Sequence, residues 1–279
     1  MPKIPIGDAV EGLVDWIEAN LGWLLDAISS LLRFLIGGFQ DILLFFPPLL
    51  LILIATVLAF FATKRNPGIA ALTGLGLLLI WNLQLWSFAM LTIALVISSA
   101  LLALAVAIPL GILAANIDPL DAVLRVLLDF MQTMPSFVYL IPAVIFFGLG
   151  NVPGMIATVI FAMPPAMRLT NLGIRQIPIE LDEVSDAFGA TPMQKLIKVQ
   201  LPVALPTIMA GVNQCIMLAL SMVVIASMIG AGGLGYRVLV GIQRVDISMG
   251  FEAGLAIVII AIILDRITAR LTITENRQP

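Results

Sequence analysis

From Asn66 to Ile117 the chain carries no charged residue. Wound as helix, that run of roughly fifty residues extends about 75 Å. One bilayer crossing uses only about 30 Å of hydrocarbon core, so the chain must reverse direction inside the run. The segment Trp81-Asn-Leu-Gln-Leu-Trp86 supplies the reversal, with Asn82 and Gln84 set between two tryptophans that favour the membrane–water interface. Composition agrees: 11% of residues are charged, against roughly 25% in soluble domains, and the mean hydropathy is +1.13. The fold class is an all-α integral membrane protein.

Seven spans are expected, at about 43–62, 68–83, 86–114, 123–148, 153–173, 204–228 and 249–268. Lys64-Arg65 closes the first and Asn116-Ile-Asp118-Pro119 the third. Pro135, Pro142 and the pair Pro164-Pro165 lie inside spans, which predicts kinked or broken helices whose freed carbonyls are satisfied by neighbours. Ahead of the spans, Val10, Leu13, Val14, Ile17, Leu21, Leu24, Leu25 and Ile28 recur at helical spacing, with Asp8, Glu11, Asp15, Glu18 and Asp26 mostly between them. That pattern predicts an amphipathic helix over residues 1–42, lying on the membrane surface or on the protein's own flank. The N-terminus has one lysine, several acids and no short apolar core, so it is not expected to be a signal peptide.

Lysine and arginine set the orientation. With the C-terminus inside, Lys64, Arg65, Arg125, Arg168, Arg175, Lys195, Lys198, Arg266, Arg270 and Arg277 fall on the cytoplasmic side, and only Lys3, Arg33, Arg237 and Arg244 fall outside. The N-terminal helix is then extracytoplasmic and residues 271–279 form a cytoplasmic tail.

Several function classes drop out. Histidine is absent, which removes Cys/His zinc sites and His-based triads, and Cys215 is the only cysteine, sitting in an apolar run as a small packing residue. No basic cluster suggests nucleic acid. No G-x-x-x-x-G-K-[ST] loop is present to hold a nucleoside triphosphate.

The most charged part of the core lies between spans five and six, over residues 176–202, on the cytoplasmic side. Pro178 can open a helix, and Glu180, Asp182 and Glu183 favour its first turns through the helix dipole. Leu181, Val184 and Phe188 share one face, Gly189 fits a helix stop, and Thr191-Pro192 can cap a second short helix holding Lys195. Such a helix–Gly–helix element either docks into a groove on a soluble partner or merely caps the bundle.

Glu183-Val-Ser-Asp-Ala-Phe-Gly189, followed after nine residues by Val199-Gln-Leu201-Pro202, resembles the EAA loop of ABC importer permeases, E-A-A-x-x-x-G-x9-I-x-L-P. Val184, Ser185 and Val199 replace the two alanines and the isoleucine; Glu183, Gly189, Leu201 and Pro202 match. The stretches at 131–165 and 205–235 are similar to the osmoprotectant branch, permeases for glycine betaine and proline betaine, and the resemblance covers about 86–270. It implies a type I importer permease core behind two accessory helices (43–85). Glu183, Val184, Asp186, Ala187, Phe188, Gly189, Leu201 and Pro202 would couple it to two cognate ATPase subunits. It further implies a second permease chain, expected to be identical, and a separate extracytoplasmic substrate-binding protein, with no binding domain fused here. No cofactor or metal is expected in this chain; ATP and Mg belong to the ATPase. The setting implied is a bacterial or archaeal cytoplasmic membrane. The rival reading is a stand-alone secondary transporter of quaternary amines, which would call for internal repeats or intramembrane charges that are not evident.

Gly230, Gly232 and Gly235 fit G-x-G-x-x-G, the spacing of a dinucleotide-binding turn. That turn needs a short preceding strand, whereas the run before Gly230 is apolar from about Val203 and suits a membrane span. Gly230, Gly232, Gly233 and Gly235 are read instead as an outer-face bend, either a structural turn or a gating and docking element, with Tyr236, Val238, Leu239 and Ile242 on a short surface helix after it. Asp129, Gln132, Thr133, Asn213, Gln214 and Ser221 are polar groups within spans; each lines the translocation pathway or bonds between helices. Phe130, Phe137 and Tyr139 are the nearest aromatic candidates for contact with a quaternary ammonium.

Overall fold

Some of the breakers picked out in the sequence sit at helix ends, Pro135 among them, whereas Pro142, Pro164 and Pro165 lie within helices. In the computed structural model, which describes residues 6–273, the regular elements are all helical; Lys3 and the tail from 274 lie outside that range. Helix α1 runs Ile6–Phe45, α2 Pro48–Ala62, α3 Pro67–Asn82 and α4 Trp86–Asn116. Asn66 caps α3 by accepting from the amides of Gly68 and Ile69. The Trp81–Trp86 reversal is a tight turn in which Gln84 has φ 56°.

Helix α5 (Asp118–Thr133) and a 3-10 turn (Ser136–Tyr139) leading into α6 (Leu140–Phe147) make up the fourth expected span, bent by 108°. The bend falls at Met134, which is extended at ψ 133° because Pro135 follows it. The Tyr139 hydroxyl donates to the Met131 carbonyl across the break and satisfies an acceptor the bend exposes. Helix α7 (Asn151–Arg175) keeps Pro164 and Pro165 buried within it. After α8 (Ile179–Ala187) and α9 (Pro192–Lys195), a π-helical turn at Leu196–Gln200 runs directly into α10 (Leu201–Ala226); α11 (Leu234–Arg244) and α12 (Ile247–Ile273) follow.

The core is the packing of α4 and α10 on α7. Small residues permit it, since helices in lipid associate through close approach. A Cβ on Gly111 of α4 would lie 2.8 Å from the Met167 carbonyl oxygen and 2.8 Å from Thr170 Cβ on α7. Polar side chains here mostly bond their own helix: Thr158 donates to the Gly154 carbonyl and Thr170 to that of Ala166.

Two features differ in detail from the seven spans expected. Helices α2 and α3 have 15 and 16 residues, about 22–24 Å of rise; they pair as a hairpin shorter than the hydrocarbon core. Helix α1, from Glu11 to Phe45, is long and apolar enough to cross a membrane. The acids of its N-terminal half give the amphipathic pattern, and Leu32 and Ile36 further along are buried in the main core. It packs on α4, α6 and α7.

Candidate functional site: a coupling loop and a glycine bend

The 176–202 loop is built by local rules. Helix α8 ends in a Schellman motif: the Gly189 amide donates to the Asp186 carbonyl at 2.9 Å and the Ala190 amide to the Ser185 carbonyl at 3.0 Å. Gly189 makes that closure with φ 71°. Thr191 and Gln194 form a reciprocal capping box that starts α9. Lys195 then clamps the two short helices together, with Nζ 2.7 Å from Asp182 and 3.0 Å from Asp186. The hydrogen bonds to Asp182 and Asp186 hold the Lys195 pKa above its usual value, so the clamp stays charged through neutral pH. Gln200 adds a bond to Asp182 at 3.3 Å, joining α8 to the foot of α10.

What this scaffold presents is apolar. Phe188 is 88% exposed, and Ile179, Val184, Met193 and Ile197 are also exposed around it. Of the expected EAA set, Glu183 and Ala187 lie exposed on α8 and Leu201 and Pro202 at the start of α10, while Ser185, outside that set, is buried. The charged scaffold thus holds an exposed ring at its tip, the kind of apolar feature that interaction surfaces carry.

Arg175 roots this element, a feature the sequence reading did not single out. Its guanidinium donates to the Ala114 carbonyl at the end of α4 and pairs with Asp118 of α5 at 2.7 Å, so three helices meet a few residues before α8. The pairing continues along α5 and α7: Asn171 donates to buried Asp121 at 2.6 Å, and Arg168 pairs with Asp129 at 2.5 Å, around a cleft of about 320 Å³. Asp129 is therefore engaged between helices. Asn213 likewise turns to α12, donating to Asp265 at 3.3 Å and accepting from the Thr268 hydroxyl. Gln214 and Ser221 lie on an exposed stripe of α10, and Gln132 and Thr133 are exposed at the end of α5 before the bend.

At the opposite end of α10, the glycine bend is stitched to α4 and α7. The Gly150 amide donates to the Ile229 carbonyl at 2.9 Å, the Gly232 amide to the Asn151 side chain at 2.8 Å, and the Leu234 amide to the Thr92 hydroxyl at 2.8 Å. Gly230 closes the preceding 3-10 turn in the left-handed region. Gly233 has φ 87°, and a Cβ there would meet Thr92 Oγ1 at 2.5 Å. A Cβ on Gly235 would lie 2.9 Å from the Val223 carbonyl oxygen. No strand precedes the motif among the described residues, so the glycines serve close backbone approach rather than a dinucleotide. Thr92 and Asn151 escaped the sequence reading because nothing local pairs them with residues 80 to 140 positions away. Gly233→Val should lower the protein's stability by about 2–4 kcal/mol, from left-handed strain plus overpacking; thermal melting in detergent checks it. Thr92→Ala should cost only about 1 kcal/mol.

The chain has relatives among known proteins. The family model described as "Binding-protein-dependent transport system inner membrane component" matches residues 107–272, which takes in the coupling loop, the glycine bend and the packed core. The chain belongs to that family. Among its relatives, the glycine betaine/carnitine transport permease protein GbuB of Listeria monocytogenes is 51% identical over 270 residues, covering 96% of this chain and 95% of its own. The glycine betaine transport system permease protein OpuAB of Bacillus subtilis is 47% identical over 276 residues, covering 99% and 97%. A solved structure of the MetNI methionine ABC transporter in an inward-facing conformation aligns with TM-score 0.61 at 23% identity, over 67% of this chain and 93% of that one. It shows the shared fold: an inner-membrane permease bundle of the type I importer kind. This family member is thus a multi-pass transport permease.

Proposed function

We propose that this permease carries glycine betaine, or a closely related betaine, into the cell as the translocation subunit of an ATP-driven importer. The observation that carries the coupling is the exposed Phe188 knob on a clamped two-helix scaffold. The relatives named for glycine betaine transport support the cargo. In this reading each knob seats in a groove of an ATPase subunit, and two permease chains, identical to one another, enclose the path. The ATPase subunits hold ATP and Mg and do the hydrolysis; this chain performs no covalent chemistry. Closure of the two ATPases tilts α7 and α10, which the loop joins. A separate binding protein delivers cargo at the outer face, beside the glycine bend. The distribution of lysine and arginine favours a cytoplasmic coupling loop and, with α1 lying along the flank and not crossing, an N-terminus outside.

Gln214, Ser221, Gln132 and Thr133 supply the polar surface of the path. Aromatic cages that hold quaternary ammonium tightly belong on the binding protein, because a conducting path must also release.

The test is reconstitution with the cognate ATPase and binding protein in liposomes. Labelled glycine betaine should accumulate only with ATP on the ATPase side and binding protein on the other. Accumulation driven by an ion gradient without the ATPase would overturn the proposal.

A further inference from the structure

A cavity of about 310 Å³ lies far from the coupling loop, between the α2–α3 hairpin and the core helices α4 and α12. Ligand pockets run upward from about 300 Å³, so it can hold something. Its wall includes Leu51, Ala55 and Ala59 from α2, Leu77 from α3, Met90 from α4 and Ile263 from α12. The one hydroxyl on that wall, Thr73, is spent on its own helix, donating to the Ile69 carbonyl at 2.9 Å. A polar small molecule would find little to bond. The cavity is not sealed, because Leu58 on its rim is 63% exposed. An unfilled apolar gap forfeits dispersion contacts along its whole lining, and the medium at its mouth is lipid.

Charge at one end says which lipid. The wall residue Ala62 is followed within three positions by Lys64 and Arg65, both exposed and both held in a tight turn with left-handed backbone. On α12, exposed Arg266 precedes the wall residue Ile267. Among the described residues none of these three cations has a carboxylate partner. The neighbouring acid, Asp265, accepts from Asn213 of α10. Helix α2, with 15 residues, rises about 22 Å and falls short of the hydrocarbon thickness. Its tip cations must therefore reach along the surface to headgroup level, or draw a headgroup toward them.

The geometry points to a bound anionic glycerophospholipid, with one acyl chain filling the gap between hairpin and core and its phosphate against Lys64 and Arg65. The lipid would bolt the short hairpin to α12. This inference needs only a membrane-embedded chain, and stands apart from the choice of cargo.

Native mass spectrometry of the complete transporter, exchanged into detergent with added phosphatidylglycerol or phosphatidylcholine, reads the lipid retained per permease chain. The wild type should keep one phosphatidylglycerol. Ala55→Phe, which fills the gap and leaves the cations in place, should lose it. Lys64→Gln with Arg65→Gln should weaken retention of phosphatidylglycerol about tenfold or more, and of phosphatidylcholine little. Because Ala55→Phe could disturb folding, a second readout uses Trp86, which lines the cavity. With Trp16, Trp23 and Trp81 replaced by Phe, chain-brominated phosphatidylglycerol should quench Trp86 at lower mole fraction than chain-brominated phosphatidylcholine. Equal quenching by the two lipids, or unchanged retention in Ala55→Phe, would overturn the assignment. So would a disulfide between two permease chains carrying Leu58→Cys, which would show that a second copy covers the gap.

Discussion

Phe188→Asp is expected to lower uptake about 100-fold or more while leaving the amount of chain in the membrane unchanged. The ring is 88% exposed and caps α8 through its backbone alone, so its removal costs the folded permease little. In a partner's groove the same ring would bury area worth about 1.5–3 kcal/mol. A carboxylate in its place must also shed its water without a partner, which adds at least another kcal/mol or so. Together these come to about 2.5–4 kcal/mol, in the range of the roughly 2.8 kcal/mol that corresponds to a hundredfold change. Uptake and binding-protein-stimulated ATP hydrolysis in proteoliposomes would fall together, and Phe188→Leu would retain much of both. Gly189→Asp should act the same way, by straining the left-handed stop that aims the ring. Normal uptake by Phe188→Asp would show that the exposed ring touches lipid or solvent and nothing else.

Gly111→Leu is expected to do the reverse: it should remove the folded protein without touching any functional surface. The new side chain would enter a contact in which the first added atom already lies 2.8 Å from a backbone oxygen of α7. A flexible side chain could yield; a helix backbone held on its far side by α10 cannot without moving the core. Overpacking typically costs about 1–3 kcal/mol, and a backbone clash belongs at or above the top of that range. Size-exclusion profiles and melting in detergent should show aggregation or a much lowered midpoint, with Gly111→Ala affected less. A wild-type melting curve for Gly111→Leu would mean that α4 and α7 stand further apart than described.

Punctuation residues made much of this architecture legible in the sequence. Pro178, Gly189 and Thr191-Pro192 act through their own backbone or nearest neighbours, and the coupling loop is delimited by them as expected. The same holds for the Trp81–Trp86 reversal and the break at Asn116–Asp118. What stayed hidden depends on partners far along the chain. Asp129 reads as an acid with no evident partner until Arg168, 39 residues later, is brought beside it. For Asn213 the sequence leaves a pathway role and an inter-helix bond both open, and only the arrival of Asp265 and Thr268 on α12 supplies the bonding partners. The 108° bend is announced by Pro135, but its angle is set by what α6 packs against. Helix α1 was read by its charge pattern, and its length could be appreciated only once it was seen to run unbroken to Phe45.

One feature of the chain path has a mechanical corollary. From Pro192 to Ile229 the backbone is helical without interruption over 38 residues, a rod of about 57 Å. Its foot lies in the coupling loop and its head in the glycine bend. In the proposed transport cycle such a rod would act as a rocker: a tilt of a few degrees about its waist would swing head and foot in opposite directions by ångströms. The π-helical turn at Leu196–Gln200, a geometry often found at functional joints, sits at the foot. Stiffness there decides how much of each push reaches the roof and how much is lost in flexing.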